Sequence, residues 1–191
     1  MKHLLFALLI SQLAFAQSEL DETKTSSSYH PTLLELQEDA EKGIPQAQYN
    51  LALRYDTGDE VPQSYEKSYE WFLKSANSGF DSAQHAIGYI YLDGHGRDKN
   101  IVEAEKWFHK AALQGHARSQ FTLGLIYDIG EGIERNSTEA YKWFYLAMLN
   151  DYFDAASMVE LTAEKLAADE INVSKMTAIR CFESRYQMCD I

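Results

Sequence analysis

Apolar positions recur along most of the chain with a helical period. Between residues 79 and 114, Ala83, Ile87, Gly88 and Tyr91 fall at i, i+4, i+5 and i+8, one face of a helix. Trp107, Ala111 and Ala112 trace a second helix in the same stretch. This two-helix pattern repeats every 36 residues. Trp71, Trp107 and Trp143 share the period, each followed by a phenylalanine: Phe72, Phe108 and Phe144. Each of the ten glycines falls in a repeat column: Gly43, Gly79 and Gly115; Gly58, Gly94 and Gly130; Gly88 and Gly124; Gly96 and Gly132. Tyr55, Tyr91 and Tyr127 make a further column, as do Leu51, Ile87 and Leu123. A fixed period of this length is the signature of a helical array whose units bury their faces against one another.

The pattern divides the chain into three units, 43–78, 79–114 and 115–150, each a pair of helices. Asp81 with Gln84 and Asn100 with Glu103 have the spacing of capping boxes at helix starts. Pro45 suits a first helical turn, where its missing N–H costs nothing. The glycine columns after each helix supply left-handed stops. Small residues at 52, 88 and 124 let paired helices approach closely, and the tryptophan is expected to fill the space between the two helices and the next unit. The ends must differ from the middle. Residues 31–42 predict a lone capping helix. Beyond Asn150 the pattern decays: Asp151 replaces the glycine, Ile179 stands where a tryptophan would, and 151–191 reads as a degenerate unit plus a C-terminal cap with helices over Ala155–Leu166 and Asn172–Arg185.

The N-terminus carries a different signal. A short basic start, Met1–Lys2–His3, precedes an apolar run ending in Ala14–Phe15–Ala16, the pattern of a secretory signal peptide cut after residue 16. The run is too short to cross a bilayer comfortably, and no later segment is long and apolar enough to span one. Residues 17–30, centred on Thr25–Ser26–Ser27–Ser28, read as a flexible leader. The expected location is therefore periplasmic or secreted.

Composition narrows the function classes. Valine occurs four times in 191 residues, which disfavours a sheet protein. A net charge of −12 excludes a nucleic-acid binder, because little here could neutralise a phosphate backbone, and it disfavours docking on anionic lipid.

The repeats resemble a known family. Ala83 to Gly96 reads A-Q-H-A-I-G-Y-I-Y-L-D-G-H-G, and Lys106 to Gly115 reads K-W-F-H-K-A-A-L-Q-G. Both are similar to the Sel-one-like repeat of the tetratricopeptide-like class. The likeness covers 43–150 well and 151–187 loosely, and the first unit departs most, with Asp59–Glu60 and Ser75. The resemblance implies an all-α, right-handed α-solenoid that holds a protein or peptide partner, in a family with many exported bacterial members. On that geometry the first helix of each unit lines the concave side. The facing positions then include Tyr49, Leu53 and Asp56; His85 and Tyr89; Phe121, Leu125 and Asp128. They form an apolar ladder suited to a peptide, with acidic ends favouring a basic or amphipathic partner. The same residues could instead pack neighbouring first helices together, and both roles can coexist.

Catalytic chemistry finds little support. Ser64–Tyr65–Glu66–Lys67 matches S-x-x-K, but no S-D-N or K-T-G partner exists, and Ser64 stands where Asn100 and Asn136 start helices. No histidine pair has metal-binding spacing, and no phosphate loop or cofactor motif occurs. Cys181 and Cys189 are expected to pair in an oxidising compartment, free thiols being the alternative. On one straight helix they would lie about 12 Å apart, so pairing requires the helix to end between them. The leading expectation is an exported adaptor or scaffold. The family resemblance also allows a periplasmic immunity protein against a toxic enzyme, and, more remotely, an enzyme acting on β-lactams or cell-wall material.

Overall fold

The computed structural model describes residues 31–189. The expected signal peptide and leader lie outside the described residues. Among the described residues there are nine helices and no strand: α1 (Leu33–Glu41), α2 (Pro45–Thr57), α3 (Tyr65–Asn77), α4 (Asp81–Asp93), α5 (Ile101–Ala112), α6 (Ala117–Ile129), α7 (Ser137–Leu149), α8 (Ala155–Ala163) and α9 (Ala168–Glu183). Helices α2 and α3, α4 and α5, and α6 and α7 pack as pairs, and each second helix packs on the first helix of the next pair. The result is an all-α helical-repeat solenoid.

Local chemistry sets the boundaries. The second helices begin at Ser64, Asn100 and Asn136, whose side chains accept from the N–H groups of Lys67, Glu103 and Glu139. The backbone N–H of each cap also donates to the carbonyl of the tyrosine column, Ser64 to Tyr55 (2.8 Å), Asn100 to Tyr91 (2.8 Å) and Asn136 to Tyr127 (2.9 Å). Ser64 is therefore a helix cap. Pro45 is the first residue of α2. The expected Asp81–Gln84 capping box does not form. Phe80 is the N-cap of α4 without a side-chain bond, and Asp81 instead accepts from the N–H of Ser82 at 2.6 Å. Asp151 takes the left-handed conformation of the glycine column it interrupts, at φ 58°. Aspartate tolerates that region better than most residues, so the turn into α8 survives the substitution.

The core belongs to the phenylalanines more than to the tryptophans. Phe72, Phe108 and Phe144 are buried, whereas Trp71 and Trp107 are only half-buried. Phe108 lies over Gly88 so closely that a Cβ there would stand 2.8 Å from its ring, and Phe144 would meet one at Gly124 at 2.5 Å. The space between paired helices is thus filled by phenylalanine against glycine. Lys74 and Lys110 lay their ammonium groups over the rings of Trp71 and Trp107, 3.6 and 3.7 Å from the centroids. Trp143 is wholly buried, and the residue at the lysine position is Leu146, buried with it.

A second ladder runs through the units. Gln48, Gln84 and Gln120 are buried and donate to the carbonyls of Ala40, Ala76 and Ala112 at 3.1, 3.2 and 3.0 Å, tying each first helix to the end of the preceding second helix. Gln114 and Asn150 donate to the side-chain oxygens of Gln84 and Gln120, both at 2.8 Å. Ser78 stands 36 residues before Gln114, and the Gln48 side-chain oxygen has no partner.

The C-terminus leaves the repeat. Helix α9 packs on α7 rather than pairing with α8. Its Ala178 and Cys181, with Cys189 from the segment after it, join the buried cluster around Trp143, and Tyr186 packs against the same cluster. Cys181 and Cys189 are joined in a disulfide with Cα atoms 4.4 Å apart, and α9 ends between them. Tyr186 in the closed loop donates to Asn150 at 2.8 Å and lies against Gly115.

Candidate functional site

Residues of α2, α4, α6 and the turn before α8 come together in one place. A cleft of about 560 Å³ opens there, at the N-terminal ends of α4 and α6. Tyr49, His85, His116 and Arg118 line it, together with Tyr152 and Phe153 from the turn before α8. Asp81 and Asp151 add carboxylates to its wall.

Three equivalent ring clusters build this side. Tyr49 contacts Phe72 and Phe80, with centroids 5.4 and 5.3 Å away. His85 contacts Phe108 and His116 at 5.3 and 4.7 Å. Phe121 contacts Phe144 and Tyr152 at 5.4 and 4.7 Å. In each case a ring from the first helix meets one from its own second helix and one from the start of the next unit. In the sequence the members of each of the first two columns are 36 residues apart, and Phe80, His116 and Tyr152 form a third column at the same spacing. That third column is the one the repeat arithmetic missed.

The expected ladder residues are therefore distributed unevenly. Tyr49 and His85 line the cleft. Phe121 is only 5% exposed and packs inside. Leu125 lies partly buried beside it. Leu53 is exposed. Tyr89 is partly buried, and its phenol is pushed up to about 12, first by burial and then by Asp93. Asp56 is half-buried, and burial raises its carboxyl above the usual aspartate value. Asp128 is engaged by Lys165, at 2.6 and 2.8 Å, and by Arg135 at 3.7 Å. That ion pair ties α6 to the segment after α8.

Beneath the cleft wall a buried serine lies between two imidazoles. Ser119 Oγ lies 2.9 Å from His85 Nδ1 and 2.9 Å from His116 Nδ1. His116 is also the N-cap of α6, its Nδ1 accepting the Ser119 N–H at 3.1 Å. This bond requires a bare Nδ1 on His116. The consistent proton assignment has His85 Nδ1–H donating to Oγ and the hydroxyl donating to His116. The His85 imidazole is held well below its ordinary value, first by burial and then by His116 and Arg118. A serine beside a base invites comparison with a nucleophile, but Ser119 is wholly buried and no substrate could reach it. Among the described residues no group of three or more His, Cys, Asp or Glu is placed to hold a metal ion. No helix among them is long and apolar enough to cross a membrane.

Comparison with known proteins agrees with the architecture. The Sel1 repeat model matches residues 45–80, 81–116 and 117–151. A Sel1 repeat protein of Oxalobacter formigenes is similar in structure, with a TM-score of 0.64 and 28% identity over 67% of this chain and 96% of that one. A protective antigen of uropathogenic Escherichia coli with an SLR fold is similar over 81% of this chain, with a TM-score of 0.59 and 28% identity. The present chain spans 42% of that antigen. No curated protein matches.

Proposed function

The chain belongs to the Sel1 repeat family, and from that premise we propose that it is an exported interaction module that holds a protein or peptide of the cell envelope on its first-helix side. Sel1 repeat proteins generally mediate protein–protein interaction. The observation that carries the reading for this chain is the cleft, where Phe153 stands 86% exposed beside Tyr49, His85 and Arg118. A large aromatic left in water at the mouth of a preformed cleft is the kind of anchor that partners bury. The ladder residues Leu53, Tyr89 and Asp56 extend the surface along the first helices. A net charge of −12 favours a basic or amphipathic partner segment. Export is supported by the N-terminal apolar run and by the Cys181–Cys189 disulfide, since such bonds persist in oxidising compartments. The likeness to a protective antigen of uropathogenic Escherichia coli is compatible with that location.

The test is capture from a periplasmic extract of the source organism, followed by purification of the captured protein and calorimetric titration. Phe153→Asp combined with Leu53→Asp alters only exposed side chains and is expected to weaken binding at least tenfold. Lys110→Ala, on a second helix, is expected to leave it unchanged. Equal binding by all three would move the interface off the first-helix side. Capture of nothing by the parent would remove the interaction reading altogether.

A further inference from the structure

A cavity of about 530 Å³ lies where α9 crosses onto α7, bordered by His109 of α5 and by Cys189 after α9. Its volume is in the range of small-molecule sites, about 300–1,000 Å³. It shares no lining residue with the first-helix cleft. Two polar side chains of its wall are more than nine-tenths buried: Lys142 is 7% exposed and Ser174 6%. Lys142 occupies a repeat position. Its counterpart 36 residues earlier, Lys106, pairs with Glu103 at 2.6 Å on the surface, as Lys142 pairs with Glu139 at 2.7 Å. The third unit differs in carrying α9, whose residues face Lys142 across the cavity.

An ammonium group has three donors. Among the described residues Glu139 is the acceptor for Lys142, and the Trp143 ring lies 4.9 Å away. Ser174 stands in the α9 wall, and its hydroxyl has no hydrogen-bond partner among the described residues. Buried donors short of acceptors are costly, so this part of the cavity is built to receive oxygen atoms. Asp169 and Glu170 border the same cavity about one turn before Ser174. Both are exposed, and Glu170 also accepts the Ala167 N–H at 2.8 Å. In the charged wall Lys142 thus meets the carboxylates of Glu139, Asp169 and Glu170, and the excess of carboxylates favours a cation.

We propose that this cavity binds a small organic cation that also bears a carboxylate, the chemistry of a basic amino acid, free or as the last residue of a peptide. The carboxylate takes hydrogen bonds from Lys142 and Ser174. The cationic end lies at Asp169 and Glu170. One helical turn is about 5.4 Å, a spacing that the side chain of lysine or arginine spans. Neither charge suffices alone. Glu139 already neutralises Lys142, so a simple anion gains little, and a simple cation leaves the buried donors of Lys142 and Ser174 without an acceptor. The site is separate from the proposed partner surface, and each can fail without the other.

The experiment is calorimetric titration of the purified, disulfide-bonded chain with L-arginine, L-lysine, glycyl-L-arginine, L-glutamate and agmatine, which is arginine without its carboxylate. Saturable binding of a basic amino acid or of the dipeptide is expected, the tighter of the two identifying the source. Agmatine is expected to bind about tenfold more weakly, the value of a charge-assisted contact, and glutamate not at all. Asp169→Asn with Glu170→Gln alters only exposed side chains and is expected to weaken arginine about tenfold. Lys142→Met with Glu139→Gln keeps the net charge of the wall and is expected to bring arginine down to the agmatine level while agmatine is unchanged. Should that variant fail to fold, the arginine–agmatine difference in the parent decides in its place. No binding of arginine, lysine or the dipeptide at millimolar concentration overturns the proposal. So does equal binding of glutamate or agmatine, or an acidic-residue variant that binds like the parent. The Phe153→Asp, Leu53→Asp chain is expected to bind arginine normally, and loss there would place the ligand in the first-helix cleft and overturn the assignment.

Discussion

Phe108 is wholly buried against the bare α-carbon of Gly88, while its neighbour Trp107 keeps part of its indole in water beneath the Lys110 ammonium. The two aromatic residues therefore differ in what they contribute to stability. Phe108→Ala should open a cavity in the middle of the array and cost about 3–5 kcal/mol. Trp107→Ala removes a half-exposed ring and a surface cation–π contact, for which about 1–2 kcal/mol is expected. Urea unfolding of the two variants checks the order, and a Trp107 variant as unstable as the Phe108 variant would contradict the packing described. The repeat columns at 74, 110 and 146, which read Lys, Lys and Leu, carry the corresponding information at Trp143. A lysine can extend its stem over an indole and keep its charge in water. A leucine there marks a ring that something else must cover.

At the scale of the element, that cover is α9. The helix departs from the repeat and lies on α7, held by Trp143, the disulfide and the Tyr186–Asn150 hydrogen bond. Replacing Cys181 and Cys189 with serine should cost about 2–3 kcal/mol, the loop-closure value for so short a ring. The loss should be local, because units in a solenoid touch only their neighbours. A red shift of Trp143 fluorescence is expected before the first two units melt. Unfolding of the whole chain in one step, with no early fluorescence change, would show that α9 is not a separable cap. Spacing alone requires α9 to end before Cys189, since the two sulfurs are otherwise too far apart. It does not require α9 to cross to α7, and Ile179 in the tryptophan column suggests the ordinary pairing with α8. The structure departs from that pattern: α9 lies on α7, where Ala178 and Cys181 join the buried cluster around Trp143.

At the scale of the molecule, the net charge of −12 makes the chain repel itself. Raising the salt from low to physiological concentration should screen this repulsion and raise the melting temperature by roughly 2–4 °C, equivalent to about 1 kcal/mol. A melting temperature that falls with salt would instead assign net stabilisation to ion pairs such as Asp128–Lys165. The fold itself was legible from the sequence because helical solenoids are built from local contacts. Glycine stops, side-chain caps and apolar faces all act within a few residues, and their 36-residue period sets the stacking. The candidate site was half legible. Tyr49 and His85 fall on the cleft wall, as the geometry implied by the family resemblance places them, whereas Phe121, in the same column, is turned inward by Tyr152 packing over it. The His85–Ser119–His116 cluster and the course of α9 depend on which neighbour a side chain meets across a unit boundary. Apart from the local His116–Ser119 cap, those are contacts between residues 30 or more positions apart, and no local pattern encodes them, so only the tertiary structure decided them.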